Sequence, residues 1–231
     1  MNTQSQNSKP MTIVRGGLQR PNWICRNFKQ NVVLVRDRSG SMSGQKAKDA
    51  SAASLDLVAE LAEPTNKDGF NAAVVDFASR SKVVHNLEKT TTLNGRVNSL
   101  SVGLFGCSST NITAGLEDAL SILEKAGKTN QESVTYLRPV VVCFTDGCHN
   151  EGPPPQDVAN RLKQIADLVT VAFGDDADEA LLRDLASTSQ HFYRCSSGRE
   201  LRSFLAAVGA TMTATMAAGT NATQALTTIR Q

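Results

Sequence analysis

One carboxylate and two hydroxyls stand within five residues at Asp37-Arg38-Ser39-Gly40-Ser41. Oxygens of this kind are hard ligands, suited to Mg²⁺, Mn²⁺ or Ca²⁺ rather than to soft metals. Gly40, between the serines, would let the chain bend so that both hydroxyls face one point. The string has a second reading. Serines beside an aspartate commonly cap a helix, and a helical pattern follows here. The elements that carry the string must decide between the two.

The string closes the apolar run Val32-Val33-Leu34-Val35, within a stretch from Asn31 to Arg36 that reads as a buried strand. Its C-terminal end is the edge at which open α/β sheets bind ligands. A second buried strand is expected over 139–144, and it ends in Thr145-Asp146-Gly147. Thr110 sits in a Gly/Ser-rich loop that leads into an amphipathic helix over 113–127. If the two strands are parallel neighbours, Asp37 and Asp146 flank one point and Thr110 comes above it. The inventory is then two carboxylates and three hydroxyls, an oxygen site of low charge with room for water or an outside ligand.

The remaining elements follow from periodicity. A helix is expected over 45–62, with Ala47, Ala50, Ser51, Ser54, Leu55, Val58 and Leu61 on its inner stripe, ended by Pro64. Strands over 70–78 and 81–85 read as a hairpin with an outer edge strand. Polar turns over 86–109 surround a short helix at 95–100. Further helices are expected after Pro155, over 179–187 and over 198–211, with strands over 168–173 and 191–193. Strands alternating with helices imply an α/β fold, a mostly parallel sheet with helices on both faces. The polar stretch 1–22 reads as a flexible extension, 23–211 as one domain, and the Ala/Thr-rich 212–231 as a frayed helix end or a disordered tail.

Together, V-L-V-R-D37-R-S39-G-S41-M, S-S-T110-N-I-T-A-G-L and V-V-V-C-F-T-D146-G resemble the von Willebrand factor A domain and its metal-ion-dependent adhesion site. The resemblance covers residues 31 to about 210. It implies a Rossmann-like three-layer sandwich with one antiparallel edge strand. It implies Ser39, Ser41 and Thr110 as direct ligands of a divalent cation, Mg²⁺ by default, with Asp37 and Asp146 acting partly through water. An Asp or Glu of a partner protein would complete the coordination, in a module without enzymatic activity. The D-R-S-G-S-M form is similar to intracellular bacterial members of the TerY-like kind, which act beside kinases and phosphatases in stress or tellurite-resistance sets. A second function is therefore an accessory subunit or phosphorylation substrate in such a set.

Composition narrows the alternatives. A net charge of +2 gives no strong pull towards nucleic acid or an anionic membrane. The polar N-terminus has no apolar stretch of a secretory signal, no run is long enough to span a membrane, and five scattered cysteines suit free thiols. A cytoplasmic protein is expected. Cys107, Cys148 and His149 are a weak zinc set, lacking C-x-x-C spacing. A hydrolase built from Ser39 or Ser41 with His149 and Asp146 lacks a G-x-S-x-G elbow. The acidic run 175–179 reads either as a second metal loop or as a helix cap. Arg36, before the site aspartate on a central strand, must either pair, with Asp76 as candidate, or reach solvent. Arg38 is a candidate to face a partner's acidic residue.

Overall fold

The computed structural model describes residues 28–97, 109–129 and 133–229. The expectations for the extension 1–22, for Cys107 and for the second half of the helix at 95–100 lie outside them. In chain order the elements are β1 (Phe28–Asp37), α1 (Gln45–Leu61), β2 (Phe70–Phe77), β3 (Ser81–Lys89), α2 (Thr90–Leu93), α3 (Ile112–Lys128), β4 (Thr135–Tyr136), β5 (Val140–Thr145), α4 (Gln156–Ile165), β6 (Asp167–Phe173), α5 (Glu179–Leu185), β7 (Phe192–Cys195), α6 (Gly198–Ala218) and α7 (Thr223–Leu226).

The sheet runs β3-β2-β1-β5-β6-β7, with the short β4 paired to the start of β1. Among the described residues only β2 and β3 pair antiparallel, which makes β3 the antiparallel edge. The strand β1 is central because nothing in Val32-Val33-Leu34-Val35 needs water. Val32 and Leu34 enter a core built with α1 and α6, and Val33 and Val35 enter the opposite core built with α3 and α4. One strand thus feeds two hydrophobic layers, as the alternation of side chains along a strand requires. The result is the three-layer α/β sandwich expected. Because β1 and β5 are parallel neighbours, with Arg36 opposite Phe144, their C-terminal ends open side by side.

Two elements run longer than expected. The strand β3 runs to Lys89 and hands over to α2 at Thr90. As a half-exposed edge it shows no clean alternation, so its length was hidden. The bend at Gly40 does bring the Ser39 and Ser41 hydroxyls to one point, without a positive φ at Gly40, and the loop is closed by a bond from Met42 N–H to Ser39 O. Finally, α6 passes residue 211 and ends at Ala218, with Met212 and Met216 buried, and α7 follows with Leu226 buried. The segment expected to fray is packed, because methionines carry the apolar stripe through the Ala/Thr stretch.

Candidate metal centre

Asp37 ends β1 wholly buried, and both of its oxygens are held. Oδ1 accepts Ser39 N–H at 2.7 Å, and Oδ2 accepts a short hydrogen bond from Thr145 Oγ1. Burial pushes its carboxyl up to about 6, against the lowering pull of the Thr145 and Ser39 bonds and with the Asp146 charge adding to the rise. Ser39 is buried beside it, and Met42 anchors the loop by filling the α1 core. Ser39 Oγ lies 3.0 Å from Ser41 Oγ, which donates to Asp146 Oδ1 at 2.7 Å. Asp37, Ser39, Ser41 and Asp146 are thus joined in one continuous oxygen cluster at the C-terminal ends of β1 and β5.

Thr110 completes the set. A Cβ placed on Gly147 would lie 3.1 Å from Thr110 Oγ1 and 3.8 Å from Ser41 Oγ, so the three residues meet around Gly147. The Thr110 loop is clamped from the loop after β5. Thr110 N–H donates to Asn150 Oδ1 at 2.8 Å, and Asn150 N–H donates back to Thr110 O at 3.0 Å. His149 Nδ1 accepts Ile112 N–H at 3.2 Å, and Asn111 caps α3 by accepting from Ala114 N–H. Helix α3 reaches this position because Gly115 lets it sit directly on the sheet; a Cβ there would be 2.9 Å from both Val35 and Phe77.

The capping alternative does not hold. The N-cap of α1 is Gly44, with no side-chain cap bond, so neither Ser39 nor Ser41 is used that way. The acidic run after β6 does cap a helix: Asp178 Oδ1 accepts Leu181 N–H at 2.9 Å. His149 is committed to the start of α3 and Cys148 is exposed, with Sγ 3.7 Å from Asp176 O. Among the described residues no group of three or more His, Cys, Asp and Glu could hold a metal. The cluster around Asp37 is of another kind, with two carboxylates and three hydroxyl side chains.

Arg36 pairs rather than reaching solvent, with Nε 2.7 Å from Asp76 Oδ1 and both side chains buried. Arg38 was expected to face outward. It is instead buried at 6% exposure, with Nη1 2.8 Å from Asp76 Oδ2. Two guanidiniums share one carboxylate beneath the loop, and that draws Arg38 inward. Three supporting side chains escaped the sequence reading, Asn150 in the Thr110 clamp, Thr145 and Lys46. Thr145 orients Asp37, and its only signal was a hydroxyl beside Asp146. Lys46, at the start of α1, places Nζ 2.5 Å from Asp146 Oδ2, and nothing in its spacing marked it.

The sequence matches the von Willebrand factor type A domain over residues 31–207. The chain belongs to this family. Inter-alpha-trypsin inhibitor heavy chain H1 of Mesocricetus auratus is 30% identical over 159 residues, 66% of this chain and 17% of that protein. Proximal thread matrix protein 1 from the mussel byssus superposes with a TM-score of 0.65 at 18% identity, over 78% of this chain and 46% of that one. A form of the mussel protein whose MIDAS motif is occupied by zinc gives 0.63 at 22% identity, over 82% and 46%. The von Willebrand factor type A protein of Catenulispora acidiphila gives 0.63 at 19%, over 82% and 43%. This chain therefore spans less than half the length of these relatives. Domains of this family typically mediate metal-dependent protein interactions.

The residues present suit a divalent cation. Two buried carboxylates supply charge, the hydroxyls of Ser39, Ser41 and Thr110 supply neutral oxygens, and the Lys46 ammonium on Asp146 shows that the cluster attracts a cation. Exposed Ser41 leaves the cluster open on its outer side.

Proposed function

We propose that this domain is a non-catalytic interaction module that takes an acidic residue of a partner protein at the cluster of Asp37, Ser39, Ser41, Thr110 and Asp146. The observation that carries the reading is the continuous cluster from Asp37 through Ser39 and Ser41 to Asp146 at an open sheet edge. Bound there, a divalent cation supplies a coordination position that a partner's Asp or Glu can fill. Ser39, Ser41 and Thr110 are neutral ligands, so a coordination position left open on the ion favours a charged carboxylate from outside over water. Thr145 and Ser39 N–H fix Asp37 in place, and the Asn150 clamp fixes Thr110. Mg²⁺ is the proposed ion, with Mn²⁺ and Ca²⁺, and the Zn²⁺ of the mussel protein, as competing arms of one titration. Cys143, Cys148 and Cys195 are free thiols, which supports a place in the reducing cytoplasm. Among the described residues no helix is long and apolar enough to cross a membrane.

The test is capture of partners from native cells on the wild-type chain, with and without EDTA, beside Asp37→Ala. Partners lost under both conditions support the reading, and a kinase or phosphatase among them would place the domain in a signalling set. Retention of every partner under both conditions overturns it.

A further inference from the structure

Asp146 is engaged on both oxygens by this chain alone. Oδ1 accepts from Ser41 Oγ at 2.7 Å, and Oδ2 meets Lys46 Nζ at 2.5 Å. The carboxylate is fully buried, while the lysine side chain keeps 34% of its exposure. Lys46 stands in the first turn of α1 and reaches Asp146 past Gly174, at the end of β6; a Cβ on Gly174 would lie 3.4 Å from Nζ. Gly174 itself takes φ +95°, a conformation that favours glycine, so the passage is kept free of a side chain.

We propose that Lys46 is a built-in counter-ion of the metal centre: its ammonium neutralises Asp146 in the metal-free protein and must leave Oδ2 for a divalent cation to bind. The inference rests on the metal-centre reading and concerns how that centre is filled. A buried carboxylate without a partner is costly, so the ion pair stabilises the empty site. The same pair opposes loading, because a dication and an ammonium repel when they share one carboxylate. Lysine is well suited to such a role. Its ammonium is compact and well hydrated on a flexible stem, and the partly exposed side chain can withdraw into water. The centre then loads only above a metal concentration that Lys46 sets.

The experiment is titration of the full chain with Mn²⁺ by calorimetry, with thermal melts in EDTA and in Mn²⁺. Wild type is compared with Lys46→Met, Lys46→Gln and Lys46→Arg, and Asp37→Ala is the control. Removing the part-exposed charge is expected to tighten Mn²⁺ binding roughly tenfold in both neutral variants. Those variants should melt below wild type in EDTA and gain more on Mn²⁺ addition, while Lys46→Arg stays near wild type. Wild type that binds Mn²⁺ with neutral variants no tighter overturns the role of Lys46 and leaves the metal centre standing. Absence of binding in wild type and neutral variants alike overturns the metal centre, and this inference with it.

Discussion

Arg36 and Asp76 are register partners on β1 and β2, joined at 2.7 Å between Nε and Oδ1 with neither side chain reaching water. Asp76 holds Arg38 as well, at 2.8 Å, so one carboxylate fixes both the end of β1 and the first residue of the loop that carries Ser39 and Ser41. Removing one member of a buried pair leaves a charge uncompensated, which typically costs about 3–5 kcal/mol. Asp76→Ala should therefore destabilise strongly in urea unfolding. The double change Arg36→Met with Asp76→Ala should recover part of the loss, since it removes one of the two buried guanidiniums that Asp76 holds. Equal destabilisation of single and double variants would show that the pair is not the source of the effect.

Gly147 gives a way to disturb the centre without touching a ligand. A methyl there would press on Thr110 Oγ1 at 3.1 Å and come within ordinary contact of Ser41 Oγ at 3.8 Å. Binding constellations tolerate displacements of only about 0.5 Å, so Gly147→Ala should weaken Mn²⁺ binding severalfold in calorimetry. Thermal stability in EDTA should stay close to wild type. The opposite pattern, a lower melting temperature with unchanged affinity, would mean that Thr110 does not act on the ion.

The Thr110 clamp predicts a graded effect. Asn150→Ala removes the acceptor for Thr110 N–H but keeps the backbone bond from residue 150 to Thr110 O. A buried or half-buried hydrogen bond is worth about 1 kcal/mol net. Metal affinity and stability should both fall modestly, and proteolysis should become faster at the loop before α3. Cleavage unchanged from wild type would argue that α3 and Asn111 alone hold the loop.

The meeting of Asp37, Ser39, Ser41 and Asp146 was legible because they follow two apolar runs, where strand and loop are told apart by local chemistry. Val32 to Val35 and Val140 to Phe144 announce the two strands, and parallel pairing brings Asp37 and Asp146 together. The side chains that hold this cluster in place were not legible. Lys46, Thr145, Asn150 and Arg38 act on residues far along the chain or across the sheet. Their roles depend on which element packs beside them, and no periodicity encodes that. Arg38 is the clearest case: an arginine in a polar loop looks solvated until Asp76 is placed beneath it. The second stretch misjudged, after residue 211, failed for a different reason. Ala and Thr dilute the apolar stripe, and Met212 and Met216 carry it alone.

His191 supplies a pH dependence. It is wholly buried before β7, its Nδ1 lies 2.8 Å from Thr188 Oγ1, and burial holds its pKa below the ordinary 6.5 despite the nearby Asp167 charge. The unfolded chain therefore takes up this proton first. The stability that His191 contributes is fully present above pH 6.5 and is lost as pH falls below it. Urea unfolding between pH 7.5 and 5 should show a loss that His191→Gln reduces. An identical slope in the variant would assign the acid sensitivity to other groups.

The C-terminal segment gives the largest expected effect. Beyond residue 211, Met212, Met216, Ala222 and Leu226 enter the same core as α1 and β1. Three polar ties reinforce them. Tyr193 OH donates to Leu226 O, Thr223 Oγ1 donates to Asp167 Oδ2 at 2.6 Å, and Asn221 Oδ1 accepts Arg138 N–H at 2.8 Å. Burying one large apolar side chain is worth about 1.5–3 kcal/mol, so removing two methionines and a leucine takes away a large share of a typical domain's stability. It also exposes the apolar faces of α1 and β7. A chain ending at residue 211 should be aggregation-prone and melt far below the full chain. Met212→Ala alone should cost about 2–5 kcal/mol. Should the chain ending at 211 match the full chain in melting temperature, the packing of α7 would carry no stability, and the polar ties to Asp167 and Arg138 would be incidental.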